Sequence, residues 1–190
     1  WDELVTSASV AQVVQTLTEL YAAFESFVDP RHQIFRWRTT AQGFMAVAGH
    51  DGDATHAMVL AEVALSLVEA VRHVALPSGQ PLRIHLVLHS GPGGAGIVGC
   101  RFPHCTFFGE AVQLVEALED PSGAPGCVHM SEAALKELPP NFAQQHGARL
   151  IDHGMLTIEG RVEQQIHMHY LVPRKESEPT LGGLPALKKP

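Results

Sequence analysis

Histidine and cysteine side chains are the residues of this sequence best suited to hold a transition metal. The chain has 12 histidines and three cysteines. Cys100, His104 and Cys105 fall close together, and His167 and His169 alternate along a later segment. Such a set suggests zinc, but its spacing fits no familiar zinc motif. The sequence therefore does not predict a metal site from these residues.

Composition restricts the class of protein. The 190 residues are 45% hydrophobic and 17% charged, which predicts one globular domain with a sizeable core. The net charge of −7 provides no basic surface for nucleic acid, and no apolar run reaches the roughly 18 residues of a membrane span. An odd number of cysteines without a C-x-x-C pair favours a reducing, cytoplasmic location.

The most informative segment runs from Leu82 to Asp120. Apolar and polar residues alternate from Leu82 to Leu88, which predicts a strand with one buried face. Residues 90–94 are rich in glycine and proline and predict a turn, and residues 95–99 predict a second short strand. The apolar spacing then changes to three and four residues, so a helix should begin at Glu110, whose carboxylate suits the positive end of the helix dipole.

The rest of the chain predicts helices that alternate with paired strands. Ser9 is a candidate N-cap for the first helix, and glycine, proline and polar residues separate the segments. The predicted helices are 10–29, 54–76 and a short one from Ser131; the predicted strands are 33–40, 44–48, 127–130, 148–158 and 164–172. This order predicts an α/β (α+β) fold with a mixed sheet and helices packed on it.

Residues 89–113, HSGPGGAGIVGCRFPHCTFFGEAVQ, resemble the central signature of the class III nucleotidyl cyclases, especially the guanylate cyclases. Pro103 and the turn at Phe108-Gly109 fall in register with that pattern, and residues 44–49 resemble a second family segment. The resemblance covers about Leu4 to Val172. It implies a ferredoxin-like β-α-β-β-α-β core.

The resemblance also implies how the chain is divided. We expect residues 1–172 to form a nucleotidyl cyclase homology domain and residues 173–190 to form a flexible tail. The family has a first strand that carries a metal-binding aspartate. Because Trp1-Asp2-Glu3-Leu4 corresponds to the residues just after this strand, we expect the strand to be missing or to lie upstream.

The family chemistry uses two Mg²⁺ or Mn²⁺ ions on two aspartates, together with an asparagine and an arginine from the partner subunit. Gln42 occupies the position of the second aspartate, and Gln113 and Ala117 occupy the asparagine and arginine positions. A carboxamide is a poor ligand for Mg²⁺, and alanine provides no charge for the leaving phosphates. The resemblance therefore assigns no intact catalytic or metal residue, although Glu110 offers a nearby carboxylate.

Four residues match nucleotide-binding positions of the family. Arg38 and Thr106 stand where the family reads the base, and Gln113 stands at the asparagine position. Arg161 stands in the turn where the family has a phosphate-binding lysine. Arginine cannot accept a hydrogen bond from guanine, whereas threonine can donate and accept, so adenine is also a possible base. Each of these residues taken singly also fits an ordinary solvated position, and that alternative stays open.

Two functions follow from the resemblance. The first is a catalytically impaired cyclase homology domain that acts in cyclic-nucleotide signalling as a homodimer or as a heterodimer with another cyclase domain. Its interface would use the hairpin after Val47 and the 91–99 turn, with Phe44, Phe102 and Phe107 as aromatic anchors. The alternative is an active guanylate or adenylate cyclase that converts GTP or ATP to the 3′,5′-cyclic nucleotide and pyrophosphate with Mg²⁺ or Mn²⁺. Without activity, we expect no cofactor.

Overall fold

The computed structural model describes residues 4, 6, 8–28, 33–40, 43–118, 124–158 and 164–174. Gln42, Arg161 and most of the predicted tail lie outside these ranges. The helices are α1 (Val10–Val28), α2 (His56–Val71), α3 (Glu110–Ala117), α4 (Glu132–Lys136) and α5 (Phe142–Gln145). The strands are β1 (Ile34–Thr39), β2 (Phe44–Ala48), β3 (Leu86–Leu88), β4 (Gly94–Val98), β5 (His104–Phe108), β6 (Val128–Ser131), β7 (Ala148–Ile158) and β8 (Gln164–Pro173).

The strands form one mixed sheet and two hairpins. The sheet has the order β3-β6-β8-β7, in which β3 and β6 are parallel and the other pairs are antiparallel. β1 pairs with β2, and β4 pairs with β5, both antiparallel. The predicted α+β class with a mixed sheet is therefore confirmed.

The alternating segment from Leu82 forms a shorter strand than predicted, because only Leu86–Leu88 joins the sheet. The Leu82 N–H donates to the Val74 carbonyl at 2.9 Å, and the Ile84 carbonyl accepts from the Gly126 N–H at 3.0 Å. Residues outside the sheet thus form the backbone hydrogen bonds that a neighbouring strand would otherwise form. The alternation correctly indicated a buried face but not strand pairing.

Helix α1 begins with a capping box. The Gln12 N–H donates to Ser9 Oγ at 3.4 Å, while the Ser9 N–H donates to Gln12 Oε1 at 2.9 Å, which confirms the predicted N-cap. Phe24 is buried in the C-terminal half, whereas Val10 is 81% exposed and Val14 is 57% exposed. The first turns are exposed because only the later turns pack against α2 and the β1–β2 hairpin.

Helix α2 lies at the centre of the hydrophobic core. Ala57 and Ala61 face a cluster that includes Met130 of β6, and their small side chains let the helix approach the sheet closely. Val59 and Val63 face α1 and the β1–β2 hairpin. The helix ends at Val71 rather than Leu76 as predicted. Despite this apolar character, no helix in the described ranges is both long and apolar enough to cross a membrane.

Helix α3 packs on the other face of the mixed sheet. Leu114 and Leu118 pack against Met168 of β8, which is fully buried. Side chains alternate between the two faces of a strand, so β8 presents the residues on either side of Met168 to the opposite face. The mixed sheet is thus covered by α2 on one face and by α3 on the other.

Candidate functional site

The turn before α3 is fixed by close backbone contact with the glycine-rich turn before β4. Gly109 has φ +124°, and a Cβ at that position would lie 2.9 Å from Gly93 Cα and 3.1 Å from the Pro92 carbonyl oxygen. The Ala111 N–H donates to the same Pro92 carbonyl at 3.3 Å. Only glycine fits such a position. The two halves of the family signature therefore set the start of α3.

Three aromatic rings join the two hairpins. Phe107 of β5 is 8% exposed, and its ring centroid lies 5.4 Å from that of Phe35 and 5.6 Å from that of Trp37, both on β1. Arg38 follows Trp37, and half-buried Thr106 precedes Phe107. The structure therefore places the strand segments that carry the two predicted base-reading residues beside each other.

A β-bulge between Arg36 and Arg38 sends these two arginines to different helices. Arg36 Nη1 lies 2.5 Å from Glu25 Oε1 of α1, whereas Arg38 Nη2 lies 2.9 Å from Glu116 Oε1 of α3. The Arg38 guanidinium also lies 4.6 Å from the Trp37 ring centroid. Arg38 is thus a positioned cation whose charge is balanced by a carboxylate.

Sequence reasoning missed Glu116, although it stands next to Ala117 and three residues after Gln113. Residues three and four positions apart share one face of a helix, and all three side chains are exposed. Helix α3 contains two glutamates, Glu110 and Glu116, and no lysine or arginine. The predicted transition-state positions are therefore brought together on a face that is negatively charged.

Gln42, at the metal position that the resemblance implies, lies outside the described residues, and α3 does not provide a replacement site. Mg²⁺ requires carboxylate or phosphate oxygens around it, and the Glu116 carboxylate is already paired with Arg38. Among the described residues, the side chains that could together hold a metal are Glu132, His167 and His169, which are not part of this site.

His89 of the signature segment has a structural hydrogen bond. Its Nδ1 lies 2.8 Å from Ser131 Oγ, which also accepts the Ala134 N–H at 3.2 Å as the N-cap of α4. Burial lowers the pKa of His89, and the carboxylates of Glu110 and Glu137 oppose this shift. The His89–Ser131 hydrogen bond links the end of the edge strand β3 to the start of α4.

His129 and His153 form a hydrogen-bonded pair of imidazoles. His129 Nε2 lies 3.0 Å from His153 Nδ1, and the His129 ring stacks on Tyr170 with 4.8 Å between centroids. One nitrogen must donate and the other must accept. Burial, followed by the charges of His153 and His85, lowers the pKa of His129 to about 4. The pair therefore consists of neutral rings at neutral pH.

This pair makes folding stability depend on pH. His129 has an ordinary pKa of about 6.5 in the unfolded chain and about 4 in the folded one, so the unfolded state binds more protons between these values. Its contribution is complete above the unfolded pKa and is lost as the pH falls towards 4. From about pH 7.5 to 5, we expect the unfolding free energy to fall about 2 kcal/mol more in the wild type than in His129→Phe.

Urea unfolding at the two pH values measures this difference. Phenylalanine keeps the stack on Tyr170 and removes the titrating group. Hydrogen bonding to Asp152 raises the pKa of His167, and this opposite contribution is common to both proteins and cancels. Equal pH dependence of the two proteins would contradict the prediction.

Comparison with known proteins agrees with this fold. The sequence model for the adenylate and guanylate cyclase catalytic domain matches residues 1–173. A membrane guanylyl cyclase of Dictyostelium discoideum is 30% identical over 142 residues, which are 74% of this chain and 9% of that protein. The human guanylate cyclase soluble subunit beta-2 is 26% identical over 160 residues, 83% of this chain and 25% of that protein. The chain thus spans a quarter or less of these relatives.

Solved structures show the same fold at low identity. The guanylate cyclase domain of RhGC from Catenaria anguillulae, in complex with GTP, superposes with a TM-score of 0.73 at 19% identity and covers 90% of this chain and 88% of that chain. The adenylyl cyclase CyaB from P. aeruginosa superposes with a TM-score of 0.75 at 13% identity and covers 94% of this chain and 91% of that chain.

Proposed function

Because the chain belongs to the adenylate and guanylate cyclase catalytic domain family, we propose that it is a catalytically impaired cyclase domain that regulates a second cyclase domain by dimerising with it. The main support for this proposal is the set of residues on the exposed face of α3. Gln113 and Ala117 occupy the transition-state positions, and Glu116 between them neutralises Arg38 at 2.9 Å. A leaving pyrophosphate needs nearby cations, whereas this helix presents carboxylates.

Catalysis is tested with the purified chain, GTP or ATP, and Mn²⁺ or Mg²⁺. We expect any cyclic nucleotide to form at least about 100-fold more slowly than with a competent cyclase domain, because loss of oriented transition-state donors has effects of this size. Turnover that scales linearly with protein and persists through further purification would support the active-cyclase alternative. Comparing ATP with GTP would then show which base the Arg38 and Thr106 positions accept.

An exposed apolar patch on the β4–β5 hairpin supports dimerisation. Ile97 is 79% exposed, Val98 51%, Phe102 86% and Phe108 57%. Exposed large apolar side chains on one hairpin are typical of interaction sites, and a two-fold interface would bring the same hairpin of both subunits together.

Two of the three predicted aromatic anchors lie elsewhere. Phe107 is buried between the hairpins, and Phe44 packs against Phe24 with 5.2 Å between ring centroids. Phe102 therefore remains as the anchor, and Ile97 joins it.

Replacing the two most exposed members of this patch should break the dimer. For Ile97→Ser/Phe102→Ser we expect the dimer dissociation constant to rise about 100-fold or more, since exposed apolar anchors dominate such interfaces. Sedimentation at micromolar concentration measures it. Met155→Ser is the matched control, because Met155 is 60% exposed on β7 and lies outside the patch. A monomeric wild type would contradict the interface.

The cysteines support a cytoplasmic location as part of this proposal. Cys100 is exposed, Cys105 is half-buried and Cys127 is buried, and all three are free thiols. Burial raises the pKa of the Cys127 thiol to about 11, so this cysteine stays protonated and unreactive at neutral pH. Free thiols of this kind are typical of reducing compartments.

A further inference from the structure

Two histidines and a carboxylate converge where β8 passes the start of α4, outside the site at α3. Glu132, His167 and His169 each offer one ligand atom, and these atoms lie within 4.8 Å of one another. Glu132 Oε2 and His167 Nδ1 are 2.7 Å apart although the residues are 35 positions apart in the chain. His167 and His169 share one face of β8 because side chains alternate along a strand.

Neighbouring groups hold the far atoms of two of these side chains. Lys136 Nζ lies 3.0 Å from Glu132 Oε1, which leaves Oε2 facing His167. His167 Nε2 lies 2.6 Å from Asp152 Oδ1, which also accepts the Gly154 N–H at 3.0 Å. A carboxylate on the distal imidazole nitrogen is the usual partner of a metal-binding histidine, since it fixes the ring and directs the other nitrogen to the metal.

His169 is the least satisfied member of the group. It is 9% exposed, and its Nε2 is buried and finds no hydrogen-bond partner in the part of the chain that the structure describes. Its Nδ1 lies 3.7 Å from Asp152 Oδ1, which is too long for a hydrogen bond. Buried polar atoms are almost always paired. An unpaired imidazole beside a histidine and a glutamate is what a metal site without its ion presents.

We propose that Glu132, His167 and His169 bind a divalent transition metal of the zinc class. Two imidazoles and one carboxylate suit Zn²⁺ and leave a fourth position for water. Tetrahedral ligands at roughly 2.0–2.1 Å from zinc are about 3.3 Å from one another. The three ligand atoms, which lie within 4.8 Å of one another, are therefore close to the spacing that one ion requires. Glu132 and His167 have side chains 36% and 34% exposed, so an ion can enter from solvent.

The ion would add a link between elements that are already adjacent, because Ser131, which precedes α4, pairs with Met168 of β8. It would tie β8 to the first residue of α4. Met168, between the two histidines, packs on the opposite face of the sheet against Leu114 and Leu118 of α3. The metal would therefore stabilise the strand that supports α3 without taking part in nucleotide chemistry. Cys100, Cys105 and His104 do not belong to this group.

Metal binding is measured on the full chain after treatment with a chelator and without nucleotide. We expect one equivalent of Zn²⁺ to bind with micromolar or lower Kd, and Co²⁺ to give visible d–d absorption. At a hundredfold excess over Kd, Zn²⁺ should raise the Tm by at least about 4 °C. No binding, or binding without these signatures, would overturn the proposal.

Substitutions locate the ion. Glu132→Gln and His167→Gln should each weaken Zn²⁺ binding at least about tenfold, and Asp152→Asn, which acts through His167, should weaken it about tenfold. His73→Gln is the control, because His73 is exposed and distant in the chain from the group. Circular dichroism checks that each variant is folded. Glu132, His167 and Asp152 were chosen because they are more exposed than His169, so polar replacement there should disturb the fold less. Equal affinity of all variants would overturn the assignment.

Discussion

A competent guanylate cyclase domain whose own asparagine and arginine have been replaced by alanine should gain no activity from this chain. In the family each site combines metal-binding aspartates of one subunit with an asparagine and an arginine of the other. The chain offers Gln113 and Ala117 at the latter positions, beside the Arg38–Glu116 pair. Activity should appear when the chain carries Gln113→Asn/Ala117→Arg, with a gain of at least about 100-fold over the wild-type mixture.

The double variant has a matched control on the same helix face. Gln113→Ala/Ala117→Gln changes both positions without adding a cation, and we expect no gain from it. Gel filtration or sedimentation must show the mixed dimer in every case, so that a lack of product reflects chemistry and not a lack of association. Cyclic nucleotide is the readout. If the wild-type chain supports the disabled partner as well as the double variant does, the assignment of Gln113 and Ala117 is wrong.

The sequence predicted best those strands whose buried and exposed side chains alternate along consecutive residues. β2 has the predicted bounds, and β7 and β8 agree with their predictions to within one residue, because alternation along a strand is visible in consecutive residues. The segment from Leu82 shows the limit of this signal. Its alternate side chains pack inward, but hydrogen bonding depends on a neighbouring strand that the local pattern does not contain.

The contacts that define the two sites could not be read from the sequence. Arg38 reaches Glu116 because a bulge changes the direction of one arginine and because aromatic packing brings β1 beside β5. Glu132 meets His167 because β6 and β8 are adjacent. Both pairs depend on the tertiary arrangement of segments far apart in the chain. Helix periodicity likewise could not show that Val10 lies beyond the core.

The turn at Gly109 links the family signature to both the fold and the site. Its φ of +124° is a conformation that residues with a Cβ rarely adopt, and an added Cβ would lie 2.9 Å from Gly93 Cα. The backbone of the glycine-rich turn cannot move aside as a flexible side chain could. For Gly109→Ala we therefore expect the free energy of unfolding to fall by about 3 kcal/mol or more, from conformational strain and overpacking together.

Gly147→Ala gives a milder reference for Gly109→Ala. Gly147 also has a positive φ, +60°, but an added Cβ there meets nothing within 4 Å, so only the conformational cost of roughly 1 kcal/mol applies. Urea unfolding followed by circular dichroism gives both values. Equal losses would contradict the prediction. We expect a larger loss at Gly109, because φ +124° with ψ −179° is a conformation essentially restricted to glycine and because the added Cβ also meets the Gly93 backbone.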